Sequence, residues 1–198
     1  MSIAMDLIGS VVIAAYVIVL GLQLNQNILG NSDASKASLN VQESLVDIVR
    51  NIEYDFRKIG YHVTDPKTSI EIATPNHIRY QADVDNDGDI DHVDWYVGAP
   101  LTNLPNDSVR VLYRMVNNGT PVGASLGVTE FKLRYLTQDG QETSVLSQIW
   151  IVETTLRVES PYKVQDQILT DQSYNDMGYA SAFWQQTRLA SRNIKRHG

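Results

Sequence analysis

Apolar residues follow three successive rhythms along this 198-residue chain. From residue 7 to residue 24 they run almost unbroken, LIGSVVIAAYVIVLGLQL, with no charge and with Ser10 and Gln23 as the clearly polar positions. At about 1.5 Å per residue such a run makes a helix of roughly 27 Å, close to the thickness of a bilayer's hydrocarbon core. It predicts an apolar membrane or fibre-core helix over residues 1–30, since a buried core helix is usually shorter and flanked by amphipathic patterning. A cleaved secretory signal carries a basic segment before its apolar run, whereas here the first basic residue is Lys36.

The second rhythm is helical. Val41, Leu45, Val49, Ile52, Phe56 and Ile59 are spaced by four, four, three, four and three, which draws one stripe along an amphipathic helix over residues 33–60. Glu53, Asp55, Arg57 and Lys58 are read as lying off that stripe, and Gly60 followed by Tyr61 supplies the stop. Asn25, Gln26, Asn27, Gly30, Asn31 and Ser32 separate the two helical parts, so a fracture is expected at residues 30–32. A single helix would instead reach about 80 Å, far beyond what a globular domain needs.

The third rhythm has period two. After Pro66, alternating Val, Ile, Tyr, Thr and Trp predict strands near residues 69–73, 77–82, 92–97, 109–116, 128–136 and 145–158. Asp139-Gly140 and Asn117-Asn118-Gly119 read as turns that tolerate positive φ. Residues 161–178 are polar and read as irregular, and residues 179–194 carry Phe183, Trp184 and Leu189. The expected fold is α+β: a long N-terminal helix, apolar then amphipathic, packed on an antiparallel meander. Residues 1–30 would form the apolar helix and residues 31–198 the globular domain.

Composition removes several functions. Sixteen Lys and Arg against 23 Asp and Glu leave a formal charge of -7, which is the wrong sign for holding nucleic acid through phosphate contacts, so no nucleic-acid partner is expected. With no cysteine, disulfides, thiolate metal sites and cysteine nucleophiles are excluded. His62, His77, His92 and His197 are scattered without metal-ligand spacing and read as surface or turn residues. Gly123-Ala124-Ser125-Leu126-Gly127 matches a nucleophile elbow in letters only, because an elbow needs a strand before it and a helix after it; it reads as a glycine-rich connection, and no enzyme is expected. Trp95, Tyr96, Tyr135 and Trp150 read as sheet packing, and Arg188, Arg192, Lys195 and Arg196 as a solvated basic run.

The sharpest motif is DVDNDGDIDHVD at residues 83–94. Calcium prefers several hard oxygen ligands, and alternate carboxylates on a loop that bends at glycine can converge on one ion. Asp83, Asp85, Asp87 and Asp91 occupy positions one, three, five and nine of the pattern, the Asp89 carbonyl position seven and Asp94 position twelve, with Ile90 expected to anchor the loop on the core. Aspartate at position twelve is shorter than the usual glutamate, so the expected affinity is that of extracellular modules, roughly 10⁻⁴ to 10⁻³ M. The plain alternative is a solvated hairpin tip, although six carboxylates in twelve residues would then repel one another without a cation.

The order of parts resembles type IV pilin-like proteins, most nearly minor pilins and the J-type minor pseudopilins of type II secretion. The resemblance rests on the apolar helix, the helix end RNIEYDFRKIGY, the acidic DVDNDGDIDHVDWYV, the strand VTEFKLRYL and the terminal FWQQTRLASRNI. It implies an extended N-terminal helix, a sheet packed on its second half, and subunits that wait in the inner membrane before their helices bundle in a periplasmic or extracellular filament. The residues that open the sequence, MSIAMD, do not match the family's basic leader. Once Met1 is removed, however, Asp6 takes the place of the family's N-terminal glutamate, and the resemblance implies a pairing of Asp6 with the amino terminus of an adjacent subunit. By loop charge alone, Lys36 and Arg50 favour the orientation opposite to a pilin's, so the pilin orientation rests on the resemblance. Two functions fit: a filament subunit whose partners are like or related pilins, and a monomeric membrane-anchored periplasmic calcium-binding domain.

Overall fold

A computed structural model of the chain describes residues 2–165, 177–190 and 193. Helix α1 spans Ser2–Lys58, and the strands are β1 (Ile70–Thr74), β2 (His77–Ala82), β3 (Asp91–Val97), β4 (Arg110–Val116), β5 (Val122–Leu136), β6 (Ile151–Glu159), β7 (Val164–Gln165), β8 (Met177–Gly178) and β9 (Ser181–Ala190). Short 3-10 turns occupy Pro66–Thr68 and Leu146–Gln148. Seven strands form one antiparallel sheet in the order β1-β2-β3-β4-β5-β6-β9, while β7 and β8 pair with each other. The α+β class, with an N-terminal helix and an antiparallel meander, is as expected.

The fracture expected at residues 30–32 is absent, and α1 runs through it as one helix of 57 residues, about 85 Å long. No proline interrupts the segment, and a lone glycine costs a helix interior only about 1 kcal/mol. Breaking the helix would leave several N–H and C=O groups at each new end without partners, so continuity wins.

The buried stripe of α1 is Val41, Leu45, Ile48, Ile52 and Phe56, continued by Ile59 just past its end. Ile48 therefore stands where Val49 was expected. Seven residues from Val41 almost complete two turns, whereas eight overshoot the face, leaving Val49 only partly buried. Asp55, expected off the stripe, is also buried, at 2% exposure. Opposite the helix, Ile78, Tyr80, Val93, Trp95, Leu112, Val128 and Leu156 close the core.

The sheet curls on itself. Strand β5 pairs with β4 through its first half and with β6 through its second, and the β1–β2 turn returns to that second half, where Leu133 N–H donates to the Pro75 carbonyl at 2.7 Å. The Tyr135 hydroxyl donates to the Thr74 carbonyl at 2.8 Å beside it. The stretch read as a glycine-rich connection, Gly123 to Gly127, thus belongs to β5 rather than to a loop, and forms no strand–turn–helix elbow. Two further differences concern strand limits: residues 145–150 contain the Leu146–Gln148 turn instead of the start of β6, and residues 181–190 form β9. Arg192, Lys195, Arg196 and His197, and all but a few of residues 161–178 on the far side of β7, lie outside the described residues.

Gly127 sits where β5 changes partner, at φ 104°. A Cβ there would stand 2.8 Å from the Glu159 carbonyl oxygen, a backbone atom that cannot swing aside. Gly127→Ala is expected to destabilise the fold by about 2–3 kcal/mol, combining left-handed strain with the clash. Thermal unfolding followed by ellipticity checks this, and an unchanged midpoint would contradict it.

Candidate functional site

The acidic motif forms the loop between β2 and β3 and is folded by its own side chains. Asp83 accepts the N–H of Asn86 on Oδ1 (2.6 Å) and that of Gly88 on Oδ2 (3.3 Å). Asp85 and Asp87 accept the N–H of Asp87 and Asp89 (3.3 and 2.8 Å), the side-chain-to-backbone bonding typical of aspartate turns. Asn86 and Gly88 take positive φ, 64° and 96°, which turn the chain twice within three residues. Asp91, the first residue of β3, closes the loop: its Oδ2 accepts Val84 N–H (3.1 Å) and its Oδ1 accepts Asn117 Nδ2 (2.6 Å).

This folding brings three of the six expected ligands together. One carboxylate oxygen each from Asp83, Asp85 and Asp91 lies within 4.8 Å of the others. Asp83 and Asp91 are buried, whereas Asp85, Asp87 and Asp89 are exposed, and the last two are not part of the cluster. Asp94 is separated from it. Three residues beyond Asp91 on the same strand, it points to the opposite face of the sheet, where its Oδ1 meets His77 Nε2 at 2.8 Å and its Oδ2 lies 3.6 Å from Arg79 Nε. Ile90 does not anchor the loop; it is 37% exposed, and Val84 packs against the core instead.

Two cationic or protonatable groups approach the same loop. Lys58, in the last turn of α1, donates from Nζ to the Val84 carbonyl at 2.6 Å and to Asn86 Oδ1 at 3.4 Å. His62 Nδ1 lies 2.7 Å from Asp83 Oδ2. Burial pushes the Asp83 carboxyl up, but the His62 ring and the N–H groups of Asn86 and Gly88 outweigh it, so its pKa sits below the ordinary carboxylate value. The donor set suits a hard divalent cation: three convergent carboxylates on a loop whose backbone is already bent. Lys58 places one positive charge on that loop already, and this offsets part of the repulsion among the aspartates.

On the outer face of the sheet, Glu71 joins His92 Nδ1 (2.9 Å), Arg79 Nε (3.2 Å) and Gln81 Nε2 (2.6 Å). Three of the histidines read as isolated, His62, His77 and His92, therefore each contact a carboxylate, a pairing produced by strand register that one-dimensional spacing does not display.

The apolar half of α1 is uncovered. Asp6–Asn25 has a mean hydropathy of 2.4, none of it buried against the rest of the chain, and it is long and apolar enough to cross a membrane. Leu7, Ile8, Ile13 and Ile18 each expose more than 60% of their surface. Asp6 is exposed at the N-terminal edge of this segment. No family profile, curated protein or solved structure matches the chain. The functional reading therefore rests on geometry and sequence pattern.

One residue that shapes this geometry was hidden in the sequence. Asp55, on the buried face of α1, accepts Trp95 Nε1–H at 2.8 Å and a forked pair from Arg114, Nε at 2.6 Å and a terminal nitrogen at 3.2 Å. Its position three after Ile52 and four before Ile59 was the available signal. The Tyr80 hydroxyl is buried nearby, and burial, followed by the Asp55 charge, pushes its pKa well up.

Proposed function

We propose that this chain is a structural subunit of a type IV pilus-like or pseudopilus filament, held in the inner membrane before assembly. The observation that carries the reading is a single helix whose second half is one wall of the core while its first half is bare. A bare apolar half needs lipid or neighbouring helices around it, since water is its least favourable surrounding. In lipid, burial alone gives little reason for helices to associate, so close packing and polar contacts decide assembly. Asp6 is the polar contact proposed here, pairing with the amino terminus of a neighbouring subunit and setting the axial stagger.

The test is electron microscopy of material sheared from source cells, with mass spectrometry of the same fraction. Filaments containing this chain are the expected result; the chain confined to membranes with no filament would overturn it. Asp6→Ala is expected to abolish or sharply reduce filament yield while leaving membrane levels of the chain unchanged, and normal assembly would remove Asp6 from the mechanism.

The convergence of Asp83, Asp85 and Asp91 favours a second reading, a monomeric membrane-anchored calcium-binding domain in the periplasm. In either reading calcium would be held by these three carboxylates. At about ten times a dissociation constant of roughly 10⁻³ M, calcium is expected to stabilise the folded chain by about 1.4 kcal/mol. Asp85→Asn with Asp91→Asn should erase that gain. A thermal midpoint indifferent to calcium would leave the loop as a solvated turn whose repulsion Lys58 offsets in part.

A further inference from the structure

At the end of the sheet opposite the acidic loop, the β1–β2 turn, the end of β3, the start of β4 and the middle of β5 line an open cavity of about 460 Å³. Its lining holds Arg110, Thr129 and Lys132 together with Glu130, and its apolar walls include Val97 and Phe131. Arg110 is the feature that needs explaining. Arg57, Arg79, Arg114, Arg134 and Arg157 each reach a carboxylate of the chain, and Arg50, which reaches none among the described residues, is exposed on α1. Among the described residues Arg110 reaches none, and its Nε is buried with no hydrogen-bond partner. The Thr129 Oγ1 is buried without a partner as well. A buried donor left unsatisfied is costly, more so when charged, and here two of them line one cavity that a ligand can enter.

We infer that this cavity binds a carboxylate, with Arg110 as the fork and the Thr129 hydroxyl as a further donor. The charge selects the ligand class. Arg110 brings one positive charge, and Glu130 lies 3.7 Å from Arg157, so a monocarboxylate fits better than a phosphate dianion. A planar guanidinium matches a planar carboxylate through two parallel hydrogen bonds. Val97 and Phe131 offer apolar surface to the carbon skeleton behind it, and the volume lies within the range of small-ligand sites. The carboxylate can arrive as a free small acid or on an acidic side chain of another protein. The site stands independently of the filament reading.

The experiment is a titration of the full-length chain in neutral detergent, following the Arg110 Nε–H resonance by NMR. The probes are propionate, a blocked Gly-Glu-Gly peptide, and inorganic phosphate. Saturable shifts with propionate or the peptide are expected, and the tighter of the two identifies the source, free acid or protein side chain. Arg110→Lys, which keeps charge but loses the fork, should weaken binding about tenfold. Thr129→Val, close to isosteric, should weaken it by a smaller factor and keeps the test open if the Arg110 variant fails to fold. No saturation with either carboxylate, tighter binding of phosphate than of both, or unchanged affinity in both variants would each overturn the assignment.

Discussion

Asp55→Ala is expected to cost about 3 kcal/mol of folding stability, near the lower end of what breaking a buried ion pair costs. The lower end applies because the Arg114 side chain keeps 32% of its surface in water, whereas Asp55 keeps 3%. Alanine removes the acceptor of both Trp95 Nε1–H and the Arg114 fork. The indole N–H and a half-buried guanidinium then stay in the core unpaired, and that desolvation is the larger part of the loss. Asp55→Asn keeps an acceptor for Trp95 and should cost less than alanine. Urea unfolding of the full chain in detergent, read by tryptophan fluorescence, measures this, and a double-mutant cycle with Arg114→Met isolates the pair. A loss below about 1 kcal/mol would mean that α1 is held by its apolar stripe alone.

Charging the bare half of α1 should have the largest effect on localisation. Arginine in the middle of a membrane helix costs about 2.5–3.5 kcal/mol, so Ile13→Arg with Val17→Arg opposes insertion by about 6 kcal/mol, a factor of roughly 10⁴ in partition. Neither side chain touches the core; they are 66% and 59% exposed. Near-UV circular dichroism of the folded domain should therefore be unchanged while vesicle flotation is lost. Flotation equal to the unaltered chain would remove the membrane-anchor reading.

What could be read from the sequence followed from period. The steps of three and four between Val41 and Ile59 located the packing face of α1, and alternation in HIRYQA gave β2, whose Ile78, Tyr80 and Ala82 the structure turns inward. What escaped depended on pairing between distant strands. His77 meets Asp94 and His92 meets Glu71 only because β1, β2 and β3 lie side by side in one register. Asp94 failed as a companion of Asp91 for the same reason, since an acidic pattern written for a loop runs into a strand there, and the strand alternates faces. The strand through Gly123 to Gly127 was hidden by glycines, which lower strand propensity yet are needed where Glu159 comes close. Continuity of α1 across Gly30 reflects cooperativity along the helix, a property of the whole segment that no single residue carries.

An unbroken α1 has a mechanical consequence. With no joint between its bare half and its packed half, a pull or a twist applied at the N-terminal end is delivered undiminished to Val41 and beyond. There the load acts along the helix axis, so the rows of side chains from Val41 to Ile59 resist as a set, in shear, instead of peeling apart one after another. The Asp55 clasp on Trp95 and Arg114 lies near the far end of that seam and couples the rod to two strands at once. A chain built this way behaves as a stiff strut carrying a head, and torque on the one is felt by the other.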